Sequence, residues 1–107
     1  MAGPPNFIVA FAPEAIEHFD TIKRKHHGLI RRAIKEQLGR EPTRETCNRK
    51  PLEEPAPFEA GWELRCGPKN GFRVFYDVDS EALTVWVLAV GVKERNRLFI
   101  GGEEYQS

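Results

Sequence analysis

Most of the residues in this chain that could do chemistry are basic, and they are concentrated in one stretch. Between Lys23 and Lys50 there are ten lysines and arginines against three glutamates, a local surplus of +7 in a protein whose formal net charge is zero. The segments on either side are acidic or alternate in sign, so the total conceals a directional field. This distribution predicts a polyanionic partner, although basic residues on helices are equally consistent with solvated surfaces.

Metal-ligating and nucleophilic residues do not form a recognisable motif. Cys47 and Cys66 are the only cysteines, and neither lies in a CxxC pair or near histidines at metal-ligand spacing. We therefore expect two free, reduced thiols. His26 and His27 are adjacent and diverge around a helix or turn, which favours a solvated helix end over shared metal ligation. The sequence predicts neither a metal site nor a cofactor.

Length and composition fit one folded domain. The chain has 107 residues, of which 40% are apolar and 30% charged, so we expect a single domain over residues 1–107. No apolar run approaches the ~18–20 residues of a membrane span. The N-terminal segment MAGPPNFIVAF lacks the basic start and long apolar stretch of a signal peptide. These features predict a cytoplasmic protein without a membrane partner.

The first half of the chain predicts a strand and a helix. Residues 6–11 (NFIVAF) are apolar and rich in β-forming side chains, which indicates a buried strand. Pro13 then marks a helix start, with Glu14 and Glu17 placed to interact with the positive end of the helix dipole. The predicted apolar stripe of this helix comprises Ala12, Ala15, Ile16, Phe19 and Ile22.

A second helix is predicted beyond Gly28, which follows the basic run KRKHH and is a natural break. Gly39 ends this helix as its C-terminal cap. Its apolar stripe comprises Leu29, Ile30, Ala33, Ile34 and Leu38. Two consecutive amphipathic helices should pair as a hairpin. Residues 40–60 contain four prolines, and their apolar residues follow neither the period of a helix nor that of a strand. This segment predicts a long surface loop.

In the second half of the chain, apolar and polar residues recur with the two-residue period of strands. The segments WELRC, NGFRVFYDVD and ALTVWVLAVG are separated by the turn-forming sequences GPKNG and DSE, which predicts a meander of three antiparallel strands. In the middle strand, one face carries Phe72, Val74 and Tyr76, and the other carries Arg73, Phe75 and Asp77. In the last strand, one face carries Val85, Val87 and Ala89, and the other carries Trp86, Leu88 and Val90.

Because both faces of the last strand are apolar, we expect it to be central in the sheet. We interpret Trp62 and Trp86 as core residues, since an aromatic side chain in a strand is more often buried than exposed. A basic turn and a short polar tail follow Gly91. The predicted fold is α+β: an N-terminal strand, a two-helix hairpin on one sheet face, and then a three-stranded antiparallel meander.

The strand segments of the second half of the chain form a recognisable sequence pattern. The run WELRCGPKNGFRVFYDVD, followed by VWVLAVGVKERNRLF, resembles the sheet signature of RelE-type toxins. In that signature an arginine-bearing strand, a G-[YF]-R-V-x-Y strand and a VxVLxVGxKER strand follow in order. The preceding helices and the KPL element at residues 50–52 also fit, so the likeness covers about residues 6–99.

The resemblance implies a toxin that a cognate antitoxin protein holds silent. When free, such a toxin enters the ribosomal A site and cleaves mRNA: the RNA 2′-hydroxyl attacks the adjacent phosphate and leaves a 2′,3′-cyclic phosphate. The chemistry needs no metal, because positive side chains surround the phosphate and acid–base groups move the protons. It also implies no small-molecule cofactor.

Carried over to this chain, the resemblance assigns catalytic roles to residues on two strands and a turn. Arg73 matches the arginine that clamps the phosphate, for which a planar and permanently charged fork is suited; the alternative is an arginine that simply pairs with Asp77 or Glu63. Arg65 lies where relatives carry a basic residue near the attacking oxygen. Lys93 lies in the basic turn that donates a proton to the leaving 5′-oxygen.

The remaining assignments are RNA contacts and the general base. The predicted RNA-binding residues are Lys50, Arg31, Arg32, Arg95, Arg97 and Phe99. Where well-known members end the basic turn with a tyrosine, this chain has Phe99, which can stack on a base but cannot donate a hydrogen bond. Glu63 replaces a lysine of some members and is a candidate carboxylate base; Glu53 and Glu54 compete for that role.

Two alternatives to the endonuclease remain open. One is a non-catalytic or decayed relative that still binds an antitoxin, which the absent tyrosine and the presence of Glu63 favour. The other is a ParE-like binder of DNA gyrase that performs no RNA chemistry. The clustered arginines favour the nuclease, because a gyrase binder needs no phosphate clamp. The endonuclease hypothesis requires Arg65, Arg73 and Lys93 to lie on one face.

Overall fold

The computed structural model describes residues 6–106. The ends of the predicted domain, residues 1–5 and 107, lie outside the described residues. As predicted, the described chain is α+β, with two α-helices and a sheet whose strands are mostly antiparallel. In chain order the elements are β1 (Ile8–Phe11), α1 (Pro13–Phe19), α2 (His27–Leu38), β2 (Arg49–Pro51), β3 (Trp62–Cys66), β4 (Phe72–Asp79), β5 (Thr84–Glu94), β6 (Arg97–Ile100) and β7 (Glu103–Glu104).

The sheet is wider than the predicted meander. Strands β3, β4 and β5 pair antiparallel in sequence, as expected, but β2 extends the sheet beyond β3, and β6 and β7 extend it beyond β5. Residues 40–60 are mostly a loop, as predicted, but Arg49–Pro51 forms the short strand β2 within it. The prediction of only a turn and tail after Gly91 was wrong, because β5 continues to Glu94 and β6 and β7 follow. The sequences of these short strands show no clear alternation of apolar and polar residues. The strands form because the neighbouring strand has backbone N–H and C=O groups free to pair.

Strand β5 is central, as its two apolar faces predicted. It pairs with β4 along one side. Along its other side it pairs first with β1 in parallel, from Thr84 to Val87, and then with β6 in antiparallel, from Gly91 to Glu94. The residues between these two pairings form a gap in the ladder, which α1 covers.

An irregularity in the β4–β5 pairing changes which side chains of β5 share a face. Phe75 pairs with Ala89 but the next residue, Tyr76, pairs with Val87, so Leu88 is an extra residue. Val85 and Val87 therefore face the helices, whereas Ala89 packs on the other face. The prediction that Ala89 shares a face with the two valines was wrong, because strict alternation does not survive a bulge.

The main core lies between the helices and one face of the sheet, called the helix face below. It contains Phe72, Val74 and Tyr76 of β4, as the alternation predicted, together with apolar residues of α1, α2, β3 and β5. The other face, called the second face, carries a smaller apolar cluster of Ala60, Phe75, Ala89 and Ile100. Trp62 packs against the main core and stacks on Tyr76.

Three local predictions are corrected by the helices and β5. Ile16 is 57% exposed, because α1 presents Ala15, His18 and Phe19 to the sheet instead. Gly28 does not break the chain but lies in the first turn of α2, and the separation from α1 falls at residues 20–26. Trp86 is 46% exposed on the second face, so it is not a core residue. Neither helix within residues 6–106 has the length and apolar character needed to cross a membrane.

Candidate active site

A cluster of one carboxylate and two guanidinium groups lies on the second face, where β3 and β4 pair. Arg65 and Arg73 are direct partners in the β3–β4 register. Glu63 precedes Arg65 by two residues, so its side chain is on the same face. Alternation in two neighbouring strands therefore places all three side chains together, and these residues are called the arginine cluster below.

The carboxylate of Glu63 bridges the two arginines. Its Oε2 accepts a hydrogen bond from Nε of Arg65 at 2.9 Å, and its Oε1 accepts one from Nη1 of Arg73 at 3.2 Å. Arg73 is further held by a 3.1 Å hydrogen bond from its Nε to the carbonyl oxygen of Asn70. Glu63 is 7% exposed and Arg73 is 9% exposed, whereas the side chain of Arg65 retains 37% of its accessible surface.

This arrangement explains how two like charges can face each other across a strand pair. Directly opposite cations destabilise a sheet unless a counter-charge lies between them. Glu63 provides that charge and leaves the cluster with a net charge of +1. Asp77, the other partner considered for Arg73, instead accepts a hydrogen bond from the backbone N–H of Gly61 at 2.6 Å. Among the described residues, Glu63 alone forms ion pairs with Arg65 and Arg73.

Two predicted lysines lie on the same face as the arginine cluster. Lys50 is the register partner of Glu63 on β2, and its Nζ lies 3.8 Å from the carboxylate of Glu45. Lys93 follows Gly91 by two residues, and Gly91 is the register partner of Arg73 on β5. The bulge at Leu88 is what turns Lys93 towards this face, since unbroken alternation would have placed it with Val85 and Val87 on the helix face.

The other predicted RNA contacts lie elsewhere. Arg95 is in the β5–β6 turn, where both it and Asn96 have positive φ. Arg97 and Phe99 pair with Glu94 and Val92, which places them on the helix side of the sheet.

The two predicted contacts on α2 are also remote from the cluster. The guanidinium of Arg31 lies 5.0 Å above the ring of Phe19, a cation–π contact, and Arg32 is exposed. Helix α2 packs on the helix face, so both side chains are separated from Arg73 by the sheet. Glu53 and Glu54, the competing candidates for a base, are exposed residues after β2.

Sequence reasoning missed two buried polar residues. Arg49 donates hydrogen bonds to the carbonyl oxygens of Gln37, near the end of α2, and of Arg44, at 2.7 and 2.9 Å. A cation at a helix C-terminus interacts favourably with the helix dipole, so we interpret Arg49 as a structural residue that stabilises the end of α2. His18 is buried beside β5, and its spacing from Ala15, Phe19 and Ile22 fits positions 1, 4, 5 and 8 of one helical face. That spacing was the available signal.

Two further features bear on the chemistry of the site. Burial raises the pKa of the Cys66 thiol to about 11, and nearby Arg73 offsets only part of that effect, so this residue is a poor nucleophile at neutral pH. Within residues 6–106, no three histidine, cysteine or carboxylate side chains come together as metal ligands. The arrangement offers cationic hydrogen-bond donors and one carboxylate, the groups that bind a phosphodiester and move a proton.

Comparison with models of known protein families finds no match for this chain, and comparison with curated proteins finds no match either.

Proposed function

We propose that this protein is a RelE-type toxin of a toxin–antitoxin pair and that it cleaves mRNA on the ribosome. The order of a strand, two helices and an antiparallel meander fits the order that the sequence resemblance implies, with β2, β6 and β7 as additions. The observation that carries the proposal is the arginine cluster, in which Glu63 lies between two arginines from separate strands.

The proposed reaction uses each member of the cluster in a distinct role. Arg73 and Arg65 hold the nonbridging oxygens of the scissile phosphate and stabilise the charge that develops there. Glu63 accepts the proton of the 2′-hydroxyl as the 2′-oxygen forms its bond to phosphorus. The bond from phosphorus to the 5′-oxygen breaks, and Lys93 donates a proton to that oxygen. The products are a 2′,3′-cyclic phosphate and a free 5′-hydroxyl.

Binding of the phosphate requires an exchange of partners. In the free protein both oxygens of Glu63 accept hydrogen bonds from the arginines. A bound phosphate would take over these donors, and the carboxylate would then be free to accept the 2′-hydroxyl proton. The partial exposure of the Arg65 side chain gives an incoming phosphate a first point of contact.

A second candidate is a non-catalytic relative that binds an antitoxin. The complete pairing of Glu63 with Arg73, with both side chains buried, favours it, because a carboxylate committed to a structural ion pair is not available as a base. In either case we propose a small acidic antitoxin as the partner, bound near residues 82–100, where Trp86 and Leu83 are exposed apolar side chains.

Controlled expression without an antitoxin separates the candidates. We expect wild-type protein to arrest growth, and primer extension on cellular mRNA to map cuts that carry 2′,3′-cyclic phosphate ends. Arg65→Ala should reduce cleavage by about 100-fold, which corresponds to roughly 2.7 kcal/mol of transition-state stabilisation. Arg73→Lys keeps the positive charge but loses the planar pair of donors of the guanidinium group. Cells that express this variant should therefore grow.

The matched control is Arg44→Ala, because Arg44 is an exposed arginine that pairs only with Glu41 in the same loop. It should remain as toxic as wild type. Thermal melting of all variants tests whether each one folds. Folded wild-type protein that leaves growth and mRNA intact would support the non-catalytic candidate, and DNA damage without mRNA cuts would point to gyrase.

A further inference from the structure

The turn that joins β3 to β4 has a backbone conformation that L-amino acids rarely adopt. Lys69 and Asn70 both have positive φ, of 55° and 53°. A hydrogen bond of 3.0 Å from the backbone N–H of Gly71 to the carbonyl oxygen of Pro68 closes the turn around them. Asparagine tolerates this left-handed conformation, whereas lysine adopts it at an energetic cost. Such strain persists where surrounding contacts hold it in place, often at functional sites.

The contacts of this turn lead to two residues of the proposed reaction. The carbonyl oxygen of Asn70 accepts the 3.1 Å hydrogen bond from Nε of Arg73. The carbonyl oxygen of Gly71 accepts a 2.8 Å hydrogen bond from the backbone N–H of Lys93. Because backbone dihedrals set the direction of a carbonyl group, the left-handed conformation at Asn70 determines where its oxygen points. The turn therefore contacts both the phosphate-binding arginine and the residue proposed to donate a proton.

Two hydrogen bonds fix the plane of the Arg73 guanidinium group. Its Nε donates to the Asn70 carbonyl and its Nη1 donates to Glu63. Its Nη2 has no hydrogen-bond partner among the described residues. Within residues 6–106, no side-chain nitrogen of a buried residue is both shielded from solvent and unpaired, so Nη2 reaches the surface. This nitrogen is the donor that Arg73 offers to an incoming phosphate.

The two hydrogen bonds have different fates when a phosphate binds. In the exchange of partners proposed above, Nη1 leaves Glu63 for the phosphate. The bond from Nε to Asn70 involves neither Glu63 nor the phosphate, so it can stay in place. Arg73 is then held by this one contact among the described residues. Its alignment during the reaction therefore depends on the turn.

We propose that Asn70 is a positioning residue of the arginine cluster. Its left-handed backbone directs its carbonyl oxygen to Nε of Arg73, and this contact keeps the guanidinium group aligned with the phosphate while Glu63 accepts a proton. Donors that are aligned in advance stabilise a transition state more than donors that must reorient. The inference rests on the proposed function, which supplies the phosphate.

Substitutions that change the preference for positive φ test the proposal without removing the carbonyl oxygen. Asn70→Gly leaves the left-handed conformation accessible, whereas Asn70→Val disfavours it because valine is β-branched. In the valine variant, we expect the Nε–H of Arg73 to exchange with water at least about tenfold faster than in wild type, as measured by ¹H–¹⁵N NMR. In the glycine variant the rate should equal that of wild type. The signal is assigned by its absence from Arg73→Lys.

Asn96→Val is the matched control. Asn96 has a φ of 68° in the β5–β6 turn, so valine introduces a similar strain there. Its carbonyl oxygen is not a partner of Arg73, which donates to Asn70 and Glu63. This variant should melt at a lower temperature than wild type, as Asn70→Val should, but the exchange rate of the Arg73 Nε–H should not change. Equal acceleration in both valine variants would overturn the proposal, because it would reflect general loosening of the fold.

Cleavage of a short mRNA on purified ribosomes tests whether the contact serves the reaction. Asn70→Val should lower kcat by about tenfold and change KM by less than about twofold, since alignment acts mainly in the transition state. Asn70→Gly should keep at least about half of the wild-type kcat. Full activity of the valine variant despite fast exchange at Arg73 would overturn the positioning role, and so would equal losses of activity in both variants.

The two proposals fail separately. Wild-type protein that cleaves no mRNA would overturn the proposed function, while the exchange rates would still support or overturn the contact between the turn and Arg73. Exchange at the wild-type rate in folded Asn70→Val would overturn the positioning role even if wild-type protein cleaves mRNA. Should the valine variant unfold, Asn70→Ala disfavours positive φ less strongly and gives the same comparison with a smaller difference.

Discussion

At the scale of residues, the arginine cluster combines structure with the chemistry that we propose. Glu63 and Arg73 are almost completely buried, so the charge of each is stabilised by the other and not by water. Such a pair contributes little net stability compared with apolar side chains of the same size, but it is costly to break. The proposed role in binding phosphate would give this pair a function beyond stability.

The first prediction concerns this pair. Glu63→Ala should lower the free energy of unfolding by about 3 to 5 kcal/mol, because it leaves the charge of Arg73 buried without a partner. Urea denaturation at pH 7 measures the change. Arg65→Ala removes a partly exposed partner of the same carboxylate and should cost less than about 1 kcal/mol.

The double variant Glu63→Leu with Arg73→Met gives the decisive comparison. Its stability should return to within about 1 kcal/mol of wild type or exceed it, while mRNA cleavage stays absent. A double variant as unstable as Glu63→Ala would show that the cluster holds the fold together in a way that apolar packing cannot replace.

The second prediction concerns His18 and pH. The folded protein holds this imidazole neutral, and burial depresses its pKa below the ordinary value near 6.5. The contribution of His18 to the free energy of unfolding is therefore fully present above pH 6.5 and is lost as the pH falls below it. In that range the unfolded chain binds a proton that the folded protein does not bind. We expect a slope of up to about 1.4 kcal/mol per pH unit from this group.

His18→Asn is the control, because an amide oxygen can accept from the Val90 N–H without titrating. The difference in unfolding free energy between wild type and this variant should narrow between pH 7.5 and pH 5, with Glu14 and Glu17 present in both. A difference that does not depend on pH would mean that His18 protonates equally in both states.

At the scale of elements, strand alternation is reliable where no bulge intervenes. The alternation of β4 correctly placed Arg73 opposite Phe72 and Val74. In β5 the extra residue Leu88 reverses the phase, so that Gly91 and Lys93 reach the face of the arginine cluster. The required meeting of Arg65, Arg73 and Lys93 on one face thus depends on a feature that the alternation pattern does not reveal.

Two glycines in different elements give the third prediction. A Cβ on Gly91 would lie 2.7 Å from the backbone oxygen of Phe99, so Gly91→Ala should force β6 away from β5 and destabilise the protein. A Cβ on Gly28 meets nothing within 4 Å, and Gly28 lies in the first turn of α2. Gly28→Ala should therefore stabilise the protein by roughly 0.5 kcal/mol. Thermal melting of both variants measures the contrast, and equal losses would contradict it.

At the scale of the whole molecule, the basic stretch does not form one surface. Arg49 is buried at the end of α2, Arg31 covers Phe19, and Lys50 lies on the second face of the sheet. Folding therefore distributes the local surplus of +7 over both sides of the sheet and uses part of it internally. Charge counted along the chain predicted a polyanionic partner but did not locate where it would bind.

The fourth prediction uses the two thiols as reporters of folding. Cys47 is exposed, while Cys66 is buried in the main core and its pKa is raised to about 11. A disulfide reagent at pH 8 should modify one thiol of the folded protein quickly and the second only after denaturation. In Cys47→Ser the fast reaction should disappear. Two fast thiols in wild type would mean that β3 and its cover over Cys66 open readily.

The sequence by itself determined the α+β class, the antiparallel pairing of β3 to β5, the central position of β5 and the face of Arg73, because these follow from local periodicity and turn residues. It also supplied the family resemblance from which the proposed function was drawn. Local patterns can be interpreted from the sequence because the type of each residue, apolar or polar, indicates whether that position is buried.

Only the tertiary structure decided the rest. The pairing of Glu63 with both arginines, the phase change at Leu88, the exposure of Trp86 and the hydrogen bond from Val90 to His18 each depend on residues distant in the chain. Such contacts arise from how strands end, bulge and leave gaps for other elements to fill. No single segment carries that information, because the partner that satisfies a buried polar group is known only once the chain has packed.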